Sequence, residues 1–341
     1  MKLSSAARAA LWPVSLIWGA AARLKVFGYR HGAFRTRMLP GNVISVGNLT
    51  VGGTGKTPMV IWLVERLLTE GKRVAILTRG YQSRRDSVGI SQSDEIGIFR
   101  ERFGDRVPIG VGADRYARGA ALAREGISWF VLDDGFQHLR LARSANIVLL
   151  DATDPFGGGR LLPAGGLREP KSALRRADII VVTRAGHAPA IETVAHRYTN
   201  APIFYANPEI TELCRWAGNG AQAIGLARAE WSGLRFFAFC GIGNPKAFVQ
   251  DLKQVGLHIV GREAFADHHR YSQREFDRLQ AKAREAGAAL LCTEKDRFNL
   301  GDVAIGSVPV YFARMNMRPS DPAGYWQAIE EICRRSSGMT R

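Results

Sequence analysis

The sequence predicts an α/β chain: a parallel sheet with helices on both faces, followed by a second, smaller α/β unit. Two observations predict it. Short apolar runs recur between helical stretches and lack the alternation of a half-solvated strand. Near residue 200 the texture changes, and extended segments lead into a second strand–helix–strand rhythm. A chain of 341 residues has room for two units at roughly 100–200 residues each. Its 46% hydrophobic content is enough to fill real cores, which excludes a disordered chain.

In order, residues 42–47 (NVISVG) form a β-branched strand, followed by a glycine-rich turn. An apolar helix runs from about Pro58 to Glu70 and ends at Gly71. Strands follow at Lys72–Thr78, Ser128–Leu132, Asn146–Leu150 and Asp178–Thr183. Beyond Ala201, Ile203–Trp216 and Arg235–Phe239 are extended. A helix at Pro245–Val255 and a strand at Leu257–Val260 follow, then a helix at Gln273–Ala286 and strands at Ala289–Cys292 and Val308–Phe312. The expected division is residues 1–205 and 206–341, joined by extended hinge segments.

Charge adds a second kind of information. The formal net charge is +16, and no acidic residue precedes Glu65. That stretch carries Lys2, Arg8, Arg23, Lys25, Arg30, Arg35, Arg37 and Lys56, a field that attracts phosphates or an anionic membrane surface. Ala9–Ala22 is uncharged but shorter than the ~20 residues needed to cross a bilayer. Pro13 suits a first helical turn, and Val14, Ile17, Trp18, Ala21 and Leu24 recur at helical spacing. Two readings stand: a helix lying in the membrane interface, or a helix packed on the core. Cys214, Cys240, Cys292 and Cys333 show no paired spacing, so neither a zinc site nor a disulfide framework is expected.

The chemistry begins between the first strand and the first apolar helix. There Val46–Thr57 reads VGNLTVGGTGKT. Gly52, Gly53, Thr54 and Gly55 let backbone N–H groups turn toward phosphates, and the helix N-terminus adds its dipole. Lys56 reaches the β/γ-phosphates and the Thr57 hydroxyl ligates Mg²⁺ in such a P-loop. The strict pattern wants glycine where this chain has Thr50. Trp129–Leu132 delivers Asp133 and Asp134 to a strand end, where the acid supporting Mg²⁺ sits in P-loop folds. The fold expected is therefore P-loop NTPase-like. Guanine specificity needs Asn-Lys-x-Asp, but Arg184-Ala185-Gly186 follows one late strand and Thr293-Glu294-Lys295-Asp296 misplaces the lysine, so the nucleotide is read as ATP.

Further motifs follow in order: TRGY at Thr78–Tyr81, DDGFQH at Asp133–His138, LPAGGLREP at Leu162–Pro170, DHHRY at Asp267–Tyr271 and TEKD at Thr293–Asp296. With SVGNLTVGGTGKTP at Ser45–Pro58, the chain resembles the tetraacyldisaccharide 4′-kinases over about residues 40–300. The resemblance implies transfer of the ATP γ-phosphate to the 4′-hydroxyl of an acylated glucosamine disaccharide 1-phosphate lipid, a step in making lipid A, with Mg²⁺. It implies a peripheral position on the cytoplasmic face of the bacterial inner membrane. Carried over by motif, Lys56, Thr57 and Arg79 serve the nucleotide, and Arg115 neutralises phosphate charge. Thr57, Asp133 or Asp134, and Glu169 serve the metal. Gln137, His138, Arg168 and Glu95 line the substrate or phosphate site. The family's Gly-Asp-Glu-Pro appears as Ser93-Asp94-Glu95-Ile96, so the flanking Gly and Pro are lost. Asp94 maps onto the catalytic base and His268 onto its helper, expected to arrive from the other domain on closure.

Two other classes compete. A P-loop NTPase of the switch or metallocentre-assembly type shares the loop but lacks support from a guanine motif. A basic nucleic-acid binder is disfavoured because the charge sits beside an apolar, tryptophan-bearing segment and no nucleic-acid motif occurs. No nucleic acid and no obligate protein partner are expected.

Overall fold

The computed structural model describes residues 5–80, 84–85, 91–218 and 223–338. Lys2 of the basic N-terminus and Tyr81 of the TRGY motif lie outside the described residues. The first elements are α1 (Ser5–Arg30), β1 (Asn42–Asn48), α2 (Lys56–Thr69), β2 (Val74–Thr78), α3 (Asp94–Phe103), β3 (Ile109–Val111), α4 (Arg115–Arg124), β4 (Trp129–Asp133), β5 (Ala145–Asp151), β6 (Ile179–Thr183) and α5 (Pro189–His196). After them come β7 (Ile203–Trp216), β8 (Arg235–Cys240), α6 (Pro245–Gln254), β9 (His258–Ala264), α7 (Gln273–Glu285), β10 (Ala289–Thr293), α8 (Glu294–Leu300), β11 (Val310–Pro319) and α9 (Pro322–Gly338).

The chain folds into two compact units, and neither is a continuous stretch. One comprises residues 1–80, 103–207 and 317–341; the other comprises 81–102 and 208–316. The expected single division near residue 205 misses two exchanges. Residues 81–102 belong with the later half, and the C-terminal helix α9 belongs with the first unit.

In the first unit β1 is central. It pairs in parallel with β4 on one side and β5 on the other. β2 and β3 extend the sheet beyond β4, while β6 and the start of β7 extend it beyond β5. β2, β5 and β6 are buried along their whole length, which explains why their sequences lack alternation. One face packs Phe136, Val148, Leu150, Leu174, Ile180 and Ile191 together. The other packs Leu39, Val43, Leu77, Phe130 and Leu132. Helix α2 stops in a Schellman motif: Gly71 adopts φ +68, its N–H reaches Leu68 O, and the N–H of Lys72 reaches Leu67 O.

In the second unit β8 lies between β9 and β10, all parallel, and β11 pairs with β10. Helix α7 covers one face with Phe276, Leu279 and Ala283, while α6 covers the other with Phe248 and Leu252. Both helices begin on side-chain caps that the sequence carries: Asn244 accepts from Ala247 N, and Ser272 with Glu275 forms a capping box.

Helix α1 packs through a narrow stripe. Ser15 is buried, accepting from Ala164 N and donating to Leu161 O, and Gly19 abuts Leu161. Trp18 Nε1 donates to Arg168 O. The larger apolar side chains point outward instead: Ile17 is 70% exposed, Leu24 69%, Phe27 58% and Trp12 54%. This helix both packs on the core and presents apolar surface. Among the described residues, no helix is long and apolar enough to cross a membrane.

Candidate active site

β1 ends in the glycine loop, and its C-terminal position at the centre of a parallel sheet is where such folds bind ligands. Gly55 caps α2 with φ +86 and no side-chain cap, leaving the first N–H groups of the helix to whatever anion arrives. Gly52 has φ +111. Thr50, standing where the strict motif has glycine, needs no such conformation; it is buried and bridges to Leu167. Lys56 Nζ lies 3.3 Å from Asn48 Oδ1 and 3.5 Å from Asp134 Oδ1, which fixes an otherwise flexible ammonium.

Asp133 and Asp134 occupy different surroundings although adjacent. Asp133 is 1% exposed at the end of β4; its Oδ2 accepts from Thr78 Oγ1 at 3.3 Å, and its backbone carbonyl accepts from Arg115. Asp134 leaves the strand with φ +46, and Arg168 Nη1 donates to both its oxygens at 3.0 and 2.7 Å. Burial opposes its charge, but Lys56 and Arg168 override that and hold the carboxyl well below its ordinary range. Thr57 lies on the first turn of α2, buried.

The remaining predicted groups of this unit cluster around the same strand ends. Gln137 Nε2 donates to Asn48 O at 2.9 Å, tying the DDGFQH turn to the P-loop. Phe136 fits against Gly47, where an added Cβ would lie 2.7 Å from Phe136 N. His138 is pushed down to about 3 by burial and by Arg115, Arg143, Lys25 and Arg140, so the imidazole is neutral at physiological pH. Arg79 is exposed just past β2, close enough to depress the Arg115 guanidinium, which burial already disfavours. Glu169 is buried and bonded to Arg176 at 2.8 Å.

The second unit holds the other predicted groups. Asp94 and Glu95, read from sequence as the catalytic base and a substrate-site acid, open helix α3. Ser93 replaces the family glycine and caps this helix: its hydroxyl accepts from Ile96 N and its carbonyl from Gly97 N. Ile96 replaces the family proline and is fully buried. Asp94 Oδ1 accepts from Glu95 N, and His268 Nδ1 lies 2.9 Å from Asp94 Oδ2. Burial resists ionisation of Asp94, yet the His268 hydrogen bond and the Lys295 charge bring it down to about 2. The same hydrogen bond raises His268 above its ordinary value against the pull of burial. Both residues belong to one unit, so the pair forms without the domain closure that the sequence suggested. Glu95 receives Lys295 at 2.9 Å.

Sequence reasoning missed Asn48 and Lys295. Asn48 stood in the VGNLTVGGTGKT run with no role assigned to it, yet its side chain holds Lys56 and its carbonyl holds Gln137. Lys295 sat in TEKD, where it drew attention only as a misplaced guanine lysine.

Residues 7–334 match the model of the tetraacyldisaccharide-1-P 4′-kinase family. The chain belongs to this family. A tetraacyldisaccharide 4′-kinase of Geobacter sulfurreducens is 40% identical over 93% of this chain and 91% of its own. One from Geobacter metallireducens is 39% identical over 94% and 96%. Among solved structures, the crystal structure of LpxK from Aquifex aeolicus in complex with ATP superposes with a TM-score of 0.70. It shows 30% identity and covers 95% of this chain and 99% of that one. The P-loop NTPase-like α/β fold and the kinase activity read from the motifs agree with these relatives.

Proposed function

We propose that this chain transfers the γ-phosphate of ATP to the 4′-hydroxyl of a tetraacylated glucosamine disaccharide 1-phosphate, in lipid A synthesis. The observation that carries this reading beyond nucleotide hydrolysis is the 2.9 Å pairing of buried Asp94 with His268. A sugar hydroxyl is a weak nucleophile, and a carboxylate within hydrogen-bond reach accepts its proton as the new P–O bond forms. His268, bonded through Nδ1, orients that carboxylate.

The P-loop unit supplies positioning and charge, which is most of what phosphoryl transfer needs. Backbone N–H groups of Gly52–Lys56 receive the phosphates, and Lys56 places its charge on the β/γ oxygens. Arg79 and Arg115 neutralise further phosphate charge. Neutral His138, with Gln137, lines the site as donor or acceptor without adding a cation to an already basic region.

Mg²⁺ suits the donors present. It binds through one or two carboxylates plus phosphate oxygens and water rather than an all-protein cage. A hydroxyl at Thr57 and a buried carboxylate at Asp133 fit that habit, and no fuller cluster of ligands occurs among the described residues. When bound, the ion neutralises charge on the β- and γ-phosphates. Asp134 then serves Lys56 and Arg168, and Glu169 acts through Arg176.

The lipid acceptor keeps its acyl chains in a bilayer, so the enzyme works at an anionic membrane surface. The outward Trp12, Ile17, Leu24 and Phe27 of α1 provide apolar contact, with flanking cations, which supports a peripheral position on the cytoplasmic face of the inner membrane. The test is direct: supply labelled ATP and the disaccharide 1-phosphate in detergent micelles. A lipid product gaining one phosphate supports the reading, while phosphate release that ignores the acceptor favours a switch NTPase.

A further inference from the structure

We propose that Asp296, at the end of the TEKD motif, is a positioning residue that fixes the turn carrying His268 and so sets the geometry of the Asp94–His268 pair. This rests on the catalytic reading of that pair given above.

Asp296 is fully buried, and its carboxylate takes its hydrogen bonds from neutral donors among the described residues. Gly241 N donates to Oδ1 at 2.7 Å, Tyr271 OH to the same oxygen at 2.7 Å, and Thr293 Oγ1 to Oδ2 at 2.6 Å. A buried carboxylate held by neutral donors alone is costly to keep, so its retention calls for a task. These donors come from the end of β8, the segment after β9 and the end of β10. Asp296 therefore ties three separate pieces of backbone to one point.

Two of those pieces hold His268. Gly241, gripped through its N–H by Asp296, accepts the backbone N–H of His268 through its own carbonyl at 2.9 Å. A Cβ at Gly241 would meet Ala266 O and His269 Cβ, each at 2.9 Å, so only glycine lets the turn come this close. Tyr271, three residues past His268, is pinned by its hydroxyl and packed edge-on against Phe239 and Phe265. Between these anchors His268 adopts φ +57, a conformation that a non-glycine residue keeps only when its surroundings impose it.

The same turn of α8 holds the other partner. Lys295 reaches Glu95, and Glu294 takes Arg102 through two parallel bonds of 3.1 Å. Both residues gripped in this way lie on α3, the helix that Asp94 begins. Three consecutive residues thus fix the histidine side and the carboxylate side of one hydrogen bond.

The experiment uses the full chain carrying Tyr271→Phe, which keeps the ring and removes only the donated hydrogen bond, and Asp296→Asn. Each is made alone and with His268→Ala, and His268 titration is followed by NMR in the free protein, where Asp94, Lys295 and Asp267 are the charges that bear on it. Expected are a fall in kcat of roughly tenfold, an unchanged KM for ATP, and a His268 pKa that drops as its bond to Asp94 loosens. In the His268→Ala background the same substitutions then cost less than about twofold, because they act through the missing ring. Multiplicative losses in that background, or an unmoved His268 titration in folded Tyr271→Phe protein, overturn the proposal. If His268→Ala itself leaves kcat intact, the catalytic reading of the pair falls and the proposal falls with it, a result distinguishable because it needs no Asp296 or Tyr271 variant.

Discussion

The Asp94→Asn substitution isolates the proton-accepting role from the architecture around it. The amide oxygen of the variant side chain still has Glu95 N to accept from, the group that now donates to Asp94 Oδ1 at 2.9 Å, and the side chain still fills a position that is 7% exposed. What disappears is the charge that His268 and Lys295 stabilise. A general base is worth roughly 10²–10⁴-fold. At 1.36 kcal/mol per decade, this corresponds to about 3–5 kcal/mol of barrier. The loss should appear in kcat, with KM for ATP unchanged, because the phosphate-handling groups belong to the other unit. The assay is initial-rate transfer from labelled ATP to the micellar lipid acceptor, with a melting curve to show that the variant folds. A folded Asp94→Asn enzyme whose kcat stays within about threefold of the parent refutes the assignment, and Glu95, one residue on and held by Lys295, becomes the base to test.

Lys56→Ala should lower turnover by about 10³-fold or more, as loss of a fixed cation on the transferring phosphates requires. Lys56→Arg should not restore it, because a planar fork cannot occupy the place of an ammonium held by Asn48 and Asp134; equal activity in folded variants removes the P-loop from the mechanism. The pH dependence follows from His268, whose pKa is raised above 6.5 by its bond to Asp94. While the imidazole is charged Asp94 is a poor base, so kcat should climb as pH rises through that raised value, and a flat profile between about pH 6 and 9 in steady-state rates contradicts it. The stabilisation from the charged pair runs the other way, full below 6.5 and lost as pH rises through the same raised value, which a pH series of melting temperatures reads. Replacing Trp12 and Ile17, both outward on α1, with Ser should weaken sedimentation with anionic vesicles and raise KM for the lipid without touching KM for ATP. Unchanged vesicle binding would remove α1 from the membrane contact.

Much of the first unit was legible because its strands obey one rule. β2, β5 and β6 are buried on both faces, so burial writes unbroken apolar runs into the sequence, and their ends fall within a residue or two of expectation. Helices α3, α4, α5, α8 and α9 were not read, and for the first two the reasons are identifiable. α3 begins inside a segment that lacks the family's glycine and proline punctuation, and it opens on two acids, Asp94 and Glu95. α4 carries Arg115, Arg118 and Arg124 along with small residues, a weak apolar stripe whose buried positions are Arg115 and Gly119. The placing of helix α3 with the later half leaves no local mark, since it depends on what Asp94, Glu95 and Arg102 touch far away in sequence.

The site was legible in identity more than in division of labour. DDGFQH names two adjacent carboxylates, and only their surroundings separate them. Asp133 stays on the strand, buried and accepting from Thr78, whereas Asp134 turns off it into the reach of Lys56 and Arg168. Ion pairing makes Asp134 the partner of Lys56 and Arg168, while the Asp133 charge bears on the buried Arg115. The same reasoning shows what Ser93 and Ile96 do where they depart from the family pattern. A glycine and a proline specify a turn through backbone freedom and constraint; here a hydroxyl cap and a buried side chain specify a helix start instead. Either device can present an acidic pair where an element begins. What the proposed proton transfer requires is the position of Asp94 against His268, 2.9 Å apart here, and the sequence can reach that position by either route.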